Sequence, residues 1–101
     1  MTDTEVIEKK KTTVKEPKPP SKYNVIILND DVTPMELVVA ILISIFKHDQ
    51  QSAVNIMLKV HNQGSAVVGV YSYEVAEQKA VDATNLARSN GSPLILKVEE
   101  A

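Results

Sequence analysis

The sequence predicts an α+β fold: a small three-stranded antiparallel sheet packed against three helices, in the order β-α-α-β-α-β. Three observations predict it. Short apolar runs rich in β-branched residues stand at positions 23–29, 65–72 and 94–98, and turn residues lie beside them. The stretches between them are longer and carry helix start and stop signals. Finally, 101 residues, 44% of them hydrophobic, suffice for one compact core and no more. Helices against one face of a small sheet is the layered arrangement that buries such a set.

Each element follows from its own residues. Positions 1–22 are rich in Lys, Glu, Thr and Pro without an apolar period. They are expected to form a disordered N-terminal tail, because such a segment buries too little surface to offset its ordering entropy. The folded core is expected over residues 23–101. Its first strand, at 23–29, ends in Asn29-Asp30-Asp31, and a helix over 34–46 follows at once. That helix is predicted to start with a capping box between Thr33 and Glu36, with Pro34 at the first helical position, where no donor is needed. It is apolar almost all round, so most of its faces should be buried or partly exposed at a binding site. A second helix is expected from Asp49, a good N-cap, to His61, with Gly64 as its stop. The third, over 73–89, carries Ala76, Ala80, Ala83 and Ala87 as a small-residue stripe suited to close packing. Asn90-Gly91-Ser92-Pro93 then makes a turn into the last strand.

Composition narrows the function. Cysteine is absent, which excludes disulfides, thiolate metal sites and cysteine nucleophiles. Aromatics make up only 4%, so base-stacking platforms are not expected. Net charge is −2, divided between a tail with six lysines against four acids and a remainder with five basic residues against nine acidic. A core of that sign repels phosphate backbones, so nucleic acid is not an expected partner. No apolar segment near the N-terminus resembles a secretion signal, and the longest apolar run, 37–43, is too short to span a bilayer. A cytoplasmic protein without membrane association is expected, and nothing demands more than a monomer.

The residues that carry chemistry gather around the first turn and the second helix. Met57, Val60 and His61 share one helical face. Taken alone, His61 reads as a helix C-terminal group favoured by the macrodipole, and Met35 and Val38 read as core. Taken together they describe an apolar pocket between two helices with Asn29, Asp30 and His61 at its rim. Carboxylate, amide and imidazole acceptors beside apolar side chains suit a cationic amine attached to something apolar. No catalytic residues are assigned: there is no glycine-rich phosphate loop, nucleophile elbow or recognised metal motif, and no metal or cofactor is called for. The alternative from another class is a metal-dependent hydrolase or lyase using Asp30, Asp31 and His61.

Three blocks of sequence carry a family resemblance. Tyr23-Asn24-Val25-Ile26-Ile27-Leu28-Asn29-Asp30-Asp31-Val32-Thr33-Pro34-Met35-Glu36 is the first, and Met57-Leu58-Lys59-Val60-His61-Asn62-Gln63-Gly64 is the second. Gly69-Val70-Tyr71-Ser72-Tyr73-Glu74-Val75-Ala76-Glu77-Gln78-Lys79 is the third. In order and spacing over 23–98 they resemble ClpS, the adaptor family of the ATP-dependent Clp protease. The resemblance implies a noncatalytic adaptor that binds the free N-terminal Leu, Phe, Tyr or Trp of N-degron substrates. It would deliver them to the AAA+ unfoldase ClpA (or ClpC) of the ClpP protease. Asn29, Asp30 and His61 would receive the α-amino group, with Asp31 and Thr33 supporting the turn. Met35, Val38, Met57, Val60 and Leu94, with Thr33, would line the side-chain pocket, Met35 acting as a gate against β-branched residues. The unfoldase's N-terminal domain would dock around Tyr71, Glu74 and Lys79, where periodicity alone reads a solvated helix start. Val32 stands where many members carry a bulkier or polar residue, which bears on the second substrate position. A structural domain similar in fold to the C-terminal domain of the ribosomal stalk protein is a third reading, in which the rim residues would be replaceable.

Overall fold

A computed structural model describes residues 21–101 of the chain. The expected disordered tail lies outside the described residues, apart from Ser21 and Lys22 at its end. The elements are β1 (Tyr23–Leu28), α1 (Met35–Ser44), α2 (Gln50–Gln63), β2 (Ser65–Tyr71), α3 (Tyr73–Ser89) and β3 (Leu96–Glu100). The order is β-α-α-β-α-β, as the sequence predicts.

β1 is the central strand of an antiparallel sheet ordered β2-β1-β3. Alternation along β1 turns Val25 and Ile27 into the core, both with no solvent exposure. In β2 the register places Val25 opposite Gly69 and Ile26 opposite Val67, so Val68 is an extra residue in a bulge. The missing side chain at Gly69 is needed there, because a Cβ would collide with the Tyr71 ring.

Ala66 and Val68 of β2, Val38, Ile41 and Leu42 of α1, and Ala53 and Val60 of α2 complete this side of the core. The alanine stripe of α3 does what its spacing predicts. Ala76, Ala83 and Ala87 are wholly buried, and Ala80 is half-buried. Small side chains on that face let the helix axis come close to the sheet.

Three expectations at element ends change. The capping box does not form, and α1 starts after Pro34, which is its N-cap rather than its first residue. The Thr33 hydroxyl is taken by Asp30 and Ser92, while the Pro34 carbonyl accepts from Leu37 N at 3.1 Å and Val38 N at 3.3 Å. The helix ends at Ser44, before the expected Phe46, with Ile45 as its C-cap. A turn follows, in which Lys47 takes a left-handed conformation (φ 63°) and the His48 ring donates to the Val68 carbonyl at 2.6 Å. The last strand begins at Leu96 instead of 94, because the backbone of Leu94 is used locally. Its N–H donates to Ser92 Oγ and its carbonyl accepts from Arg88.

The second helix carries both predicted caps, although it runs to Gln63, two residues past the expected end at His61. Asp49 accepts from Ser52 N at 3.0 Å, and Gly64 closes the helix in the left-handed region at φ 91°. Among the described residues no helix is long and apolar enough to cross a membrane.

Candidate functional site

The turn at residues 29–34 is fixed at its start by two backbone bonds. Leu28 N donates to the Ile95 carbonyl at 3.1 Å and Asn29 N to the Gly64 carbonyl at 2.8 Å. The second bond matters most, since it draws the end of β1 onto the C-terminus of α2, one turn beyond His61. Gly64 can offer that carbonyl because it adopts the left-handed conformation that most residues avoid. Residues far apart in sequence, Asn29 and Asp30 on one side and His61 on the other, are thereby placed around one opening.

That opening leads to a cavity of about 150 Å³ between the turn, α1 and α2. Asn29, Asp30, Asp31, Thr33 and His61 supply its polar lining. Met35 and Val38 from α1, Met57 and Val60 from α2, and Leu28 and Leu94 from the sheet side supply the apolar wall. Val60 and Leu94 are buried, Met57 is half-buried, and Met35 is 43% exposed at the mouth. All ten residues assigned to the amine site, the supporting turn and the side-chain pocket meet in this one cavity, and Leu28 joins them. An apolar cavity of about this size accommodates benzene, so one aromatic or branched aliphatic side chain is a suitable occupant.

Electrostatics at the rim favour a cation. Asp30 accepts from the Thr33 hydroxyl through Oδ2 and from Val32 N at 3.1 Å through Oδ1. These bonds, the one from Thr33 foremost, hold its carboxyl below the usual carboxylate range. Asp30 therefore stays ionised in ordinary conditions. A carboxylate has about four lone-pair sites, so capacity remains for a further donor. Among the described residues, no group of three His, Cys, Asp or Glu side chains converges in a way that could hold a metal ion. Asp30, Asp31 and His61 share the cavity lining without forming the ligand set that the metal-dependent alternative requires.

Tyr71, Glu74 and Lys79 lie apart from this cavity, at the edge strand β2 and the first half of α3. Lys79 Nζ donates to the Ile45 carbonyl at 2.9 Å and lies 5.5 Å from the Tyr71 ring centroid. It thus ties α3 to the end of α1 and fixes the ring beneath it, while Glu74 is exposed. Burial raises the Tyr71 phenol above its ordinary range.

Sequence reading missed Ser92 as anything but a turn residue. It is 3% exposed and bonded to Thr33 at 2.5 Å. A serine inside Asn-Gly-Ser-Pro carries no local signal of a partner 59 residues away.

Comparison with known proteins gives consistent matches. A family model described as ATP-dependent Clp protease adaptor protein ClpS matches residues 18–97. The ClpS adapter protein of Sodalis glossinidius is 50% identical over 84 residues, which are 83% of this chain and 79% of that protein. The ClpS adapter protein of Burkholderia mallei is 46% identical over 99 residues, 98% of this chain and 92% of that one. The structure of Agrobacterium tumefaciens ClpS2 bound to L-phenylalaninamide matches with a TM-score of 0.80 at 38% identity, covering 82% of this chain and all of the other. An α+β core of this topology, an amphipathic cavity at the turn and matches across most of the chain agree, and the chain belongs to the ClpS family of noncatalytic adaptors of the ATP-dependent Clp protease.

Proposed function

We propose that this adaptor captures proteins by a free N-terminal Leu, Phe, Tyr or Trp and delivers them, as a cytoplasmic monomer, to the ClpA or ClpC unfoldase of the ClpP protease. The observation that carries the reading is the composition of the cavity between the turn, α1 and α2, with Asn29, Asp30 and His61 at its rim and an apolar wall behind them. The Agrobacterium relative was solved with L-phenylalaninamide, which has a free α-amino group and a benzyl side chain. That ligand matches the two halves of the cavity.

In this mechanism Asp30 accepts from the ammonium, together with Asn29 and His61. A charge-assisted hydrogen bond contributes about 1.5–3 kcal/mol, and burying a Leu or Phe side chain a further 1.5–3 kcal/mol or so. Either half alone is consumed by the loss of translational and rotational freedom, so both must be engaged together. An internal Phe lacks the ammonium and is refused. Met35, half-exposed over the entrance, fills the space that a branched Cβ would need, so N-terminal Ile and Val are refused as well. Docking of the unfoldase's N-terminal domain is assigned to the separate surface of Tyr71, Glu74 and Lys79. Its ring and ammonium are already held in place by contacts within the fold.

Fluorescence anisotropy with three labelled peptides tests the site. The free N-terminal Phe peptide should bind at micromolar concentrations or better, and its N-acetylated form and an N-terminal Ile peptide should not. Binding of the Ile peptide would discard the Met35 gate, and equal binding of the acetylated form would discard amine recognition.

A further inference from the structure

Beneath the recognition turn lies a directed chain of hydrogen bonds. The Thr33 hydroxyl has one hydrogen, and it is donated to Asp30 Oδ2. An ionised carboxylate can only accept. The hydrogen in the 2.5 Å contact between Thr33 and Ser92 therefore belongs to Ser92. Ser92 Oγ in turn accepts from Leu94 N at 3.1 Å. The order is Leu94 N–H to Ser92 hydroxyl to Thr33 hydroxyl to Asp30 carboxylate, with every hydrogen pointing toward the carboxylate.

The far end of this chain is rigid. Ser92 N donates to the Ala87 carbonyl at 2.9 Å, and the Ser92 carbonyl accepts from Arg88 Nη1 at 2.8 Å. The same guanidinium nitrogen donates to the Leu94 carbonyl at 2.8 Å. Residue 92 is thus anchored to the end of α3 and is itself buried at 3% exposure. Asp30, by contrast, sits on a turn at the cavity mouth, with Asn29 and Asp31 both exposed. Within the core the hydroxyl oxygen accepts only from Leu94 N, and its own hydrogen is directed toward the turn, to Thr33.

We propose that Ser92 is a positioning residue for N-terminal recognition, holding the Asp30 carboxylate toward the cavity through the Thr33 hydroxyl. The assignment rests on the amine-recognition reading above. It makes the end of α3 part of the binding apparatus, although Ser92 does not line the cavity. A chain of aligned donors also strengthens each member by polarisation, so loss of the distant hydroxyl weakens the bond that reaches Asp30.

The competing role for Ser92 is to hold Leu94, which is part of the cavity wall. The two roles differ in what they change. The test uses the full chain with Ser92→Ala, Thr33→Val, Thr33→Ser and the Ser92→Ala/Thr33→Val double variant. Anisotropy is read with free N-terminal Phe and Leu peptides and with the acetylated Phe peptide. Ser92→Ala should weaken both free peptides equally, by about 3- to 10-fold. Thr33→Ser, which keeps the hydroxyl, should stay within about twofold of the parent. In the Thr33→Val background, Ser92→Ala should add nothing, because its only route is already cut.

Carbon-13 NMR of the Asp30 carboxyl supplies a second readout. Its titration midpoint should rise in Ser92→Ala and Thr33→Val and stay put in Thr33→Ser. Arg88 on α3, His61 on α2 and Asp31 in the turn are the other charged or titratable groups around that carboxylate, and the variants retain all three. Unchanged affinity in Ser92→Ala, a loss confined to one side-chain type, or simple additivity in the double variant would each overturn the assignment. If Ser92→Ala does not fold, the contrast between Thr33→Val and Thr33→Ser decides: equal affinities overturn it. Should the parent bind acetylated and free peptides alike, amine recognition falls and this assignment with it. A parent that discriminates beside an unaltered Ser92→Ala variant removes only the positioning role.

Discussion

The mouth of the cavity and the seam between α3 and the sheet hold their shapes by opposite means. At the seam, Ala76, Ala83 and Ala87 are wholly buried in the same core cluster as Val25 and Ile27, and the fit depends on area and close contact. At the mouth, Asn29 and Asp31 are exposed and Asp30 is half-buried, so little area is buried there. Shape comes instead from directed bonds: Asn29 N to Gly64, Val32 N to Asp30, and the hydroxyls of Thr33 and Ser92. A surface held by area presents nothing to a ligand. One held by hydrogen bonds can leave acceptors uncovered, which a binding site for a cation needs. Affinity and stability should therefore be separable by position.

The largest expected effect falls on affinity. Asp30→Ala should abolish capture of free N-terminal peptides while lowering the midpoint of urea unfolding only slightly, through loss of its bonds to Thr33 and Val32. Isotherms and denaturation curves on the same preparation check it. An affinity like the parent's would mean that the mouth does not recognise the amine.

The converse substitution lies on the other side of the comparison. Ile27→Ala removes a side chain with no solvent exposure and leaves a cavity beneath the central strand. It should lower stability by about 2–5 kcal/mol, a large share of the roughly 5–15 kcal/mol of a typical domain. The affinity of the molecules that remain folded should be unaltered. Loss of affinity in proportion to loss of stability would show that the two regions are coupled.

The same contrast explains what the sequence could disclose. The seam was legible because its signal is periodic: four alanines spaced along one helix and β-branched runs at strand spacing predict both the elements and the buried faces. Most of the cavity wall was legible for a similar reason, Met57, Val60 and His61 lying at i, i+3 and i+4. The grouping of Asn29 and Asp30 with His61 was read from the residues as a pocket rim, the family resemblance adding the α-amino role, and the fold realises the grouping through one bond to the Gly64 carbonyl. What escaped was the competition for a hydroxyl. Thr33, with Glu36 three residues on, has the local pattern of a capping box. Its oxygen went instead to Asp30 and to Ser92, a partner brought near only by the whole fold. Local rules assign a side chain to its sequence neighbours, and here a tertiary contact at the recognition turn prevailed. Likewise, the start of β3 moved from 94 to Leu96 because Arg88 and Ser92 engage the Leu94 backbone, which strand propensity does not encode.

The smallest expected effect sharpens the comparison by using acid on two aspartates with different roles. Asp30 is held below the usual carboxylate range by the Thr33 hydroxyl and then by Val32 N–H. Asp49 is held below it by Ser52, through the side-chain bond first and then the backbone N–H. In both, the folded-state value is lower than the unfolded one, near 3.9. Their stabilising contributions are therefore complete above that value and are lost as pH falls through the lower, folded-state values. Between about pH 5 and pH 4 neither capture nor folding should change on their account, and below that range both should decline. Asp49→Asn keeps the cap, since Asn serves that position equally well, but removes the titration. It should flatten the acid limb of unfolding, followed by circular dichroism, without altering capture at about pH 5. Asp30→Asn should instead remove capture at every pH, because the charge proposed to meet the ammonium is gone. If Asp49→Asn weakened capture as well, the cap of α2 would be transmitting its state to His61 at the other end of the helix, and the division between a bonded mouth and a packed body would fail there first.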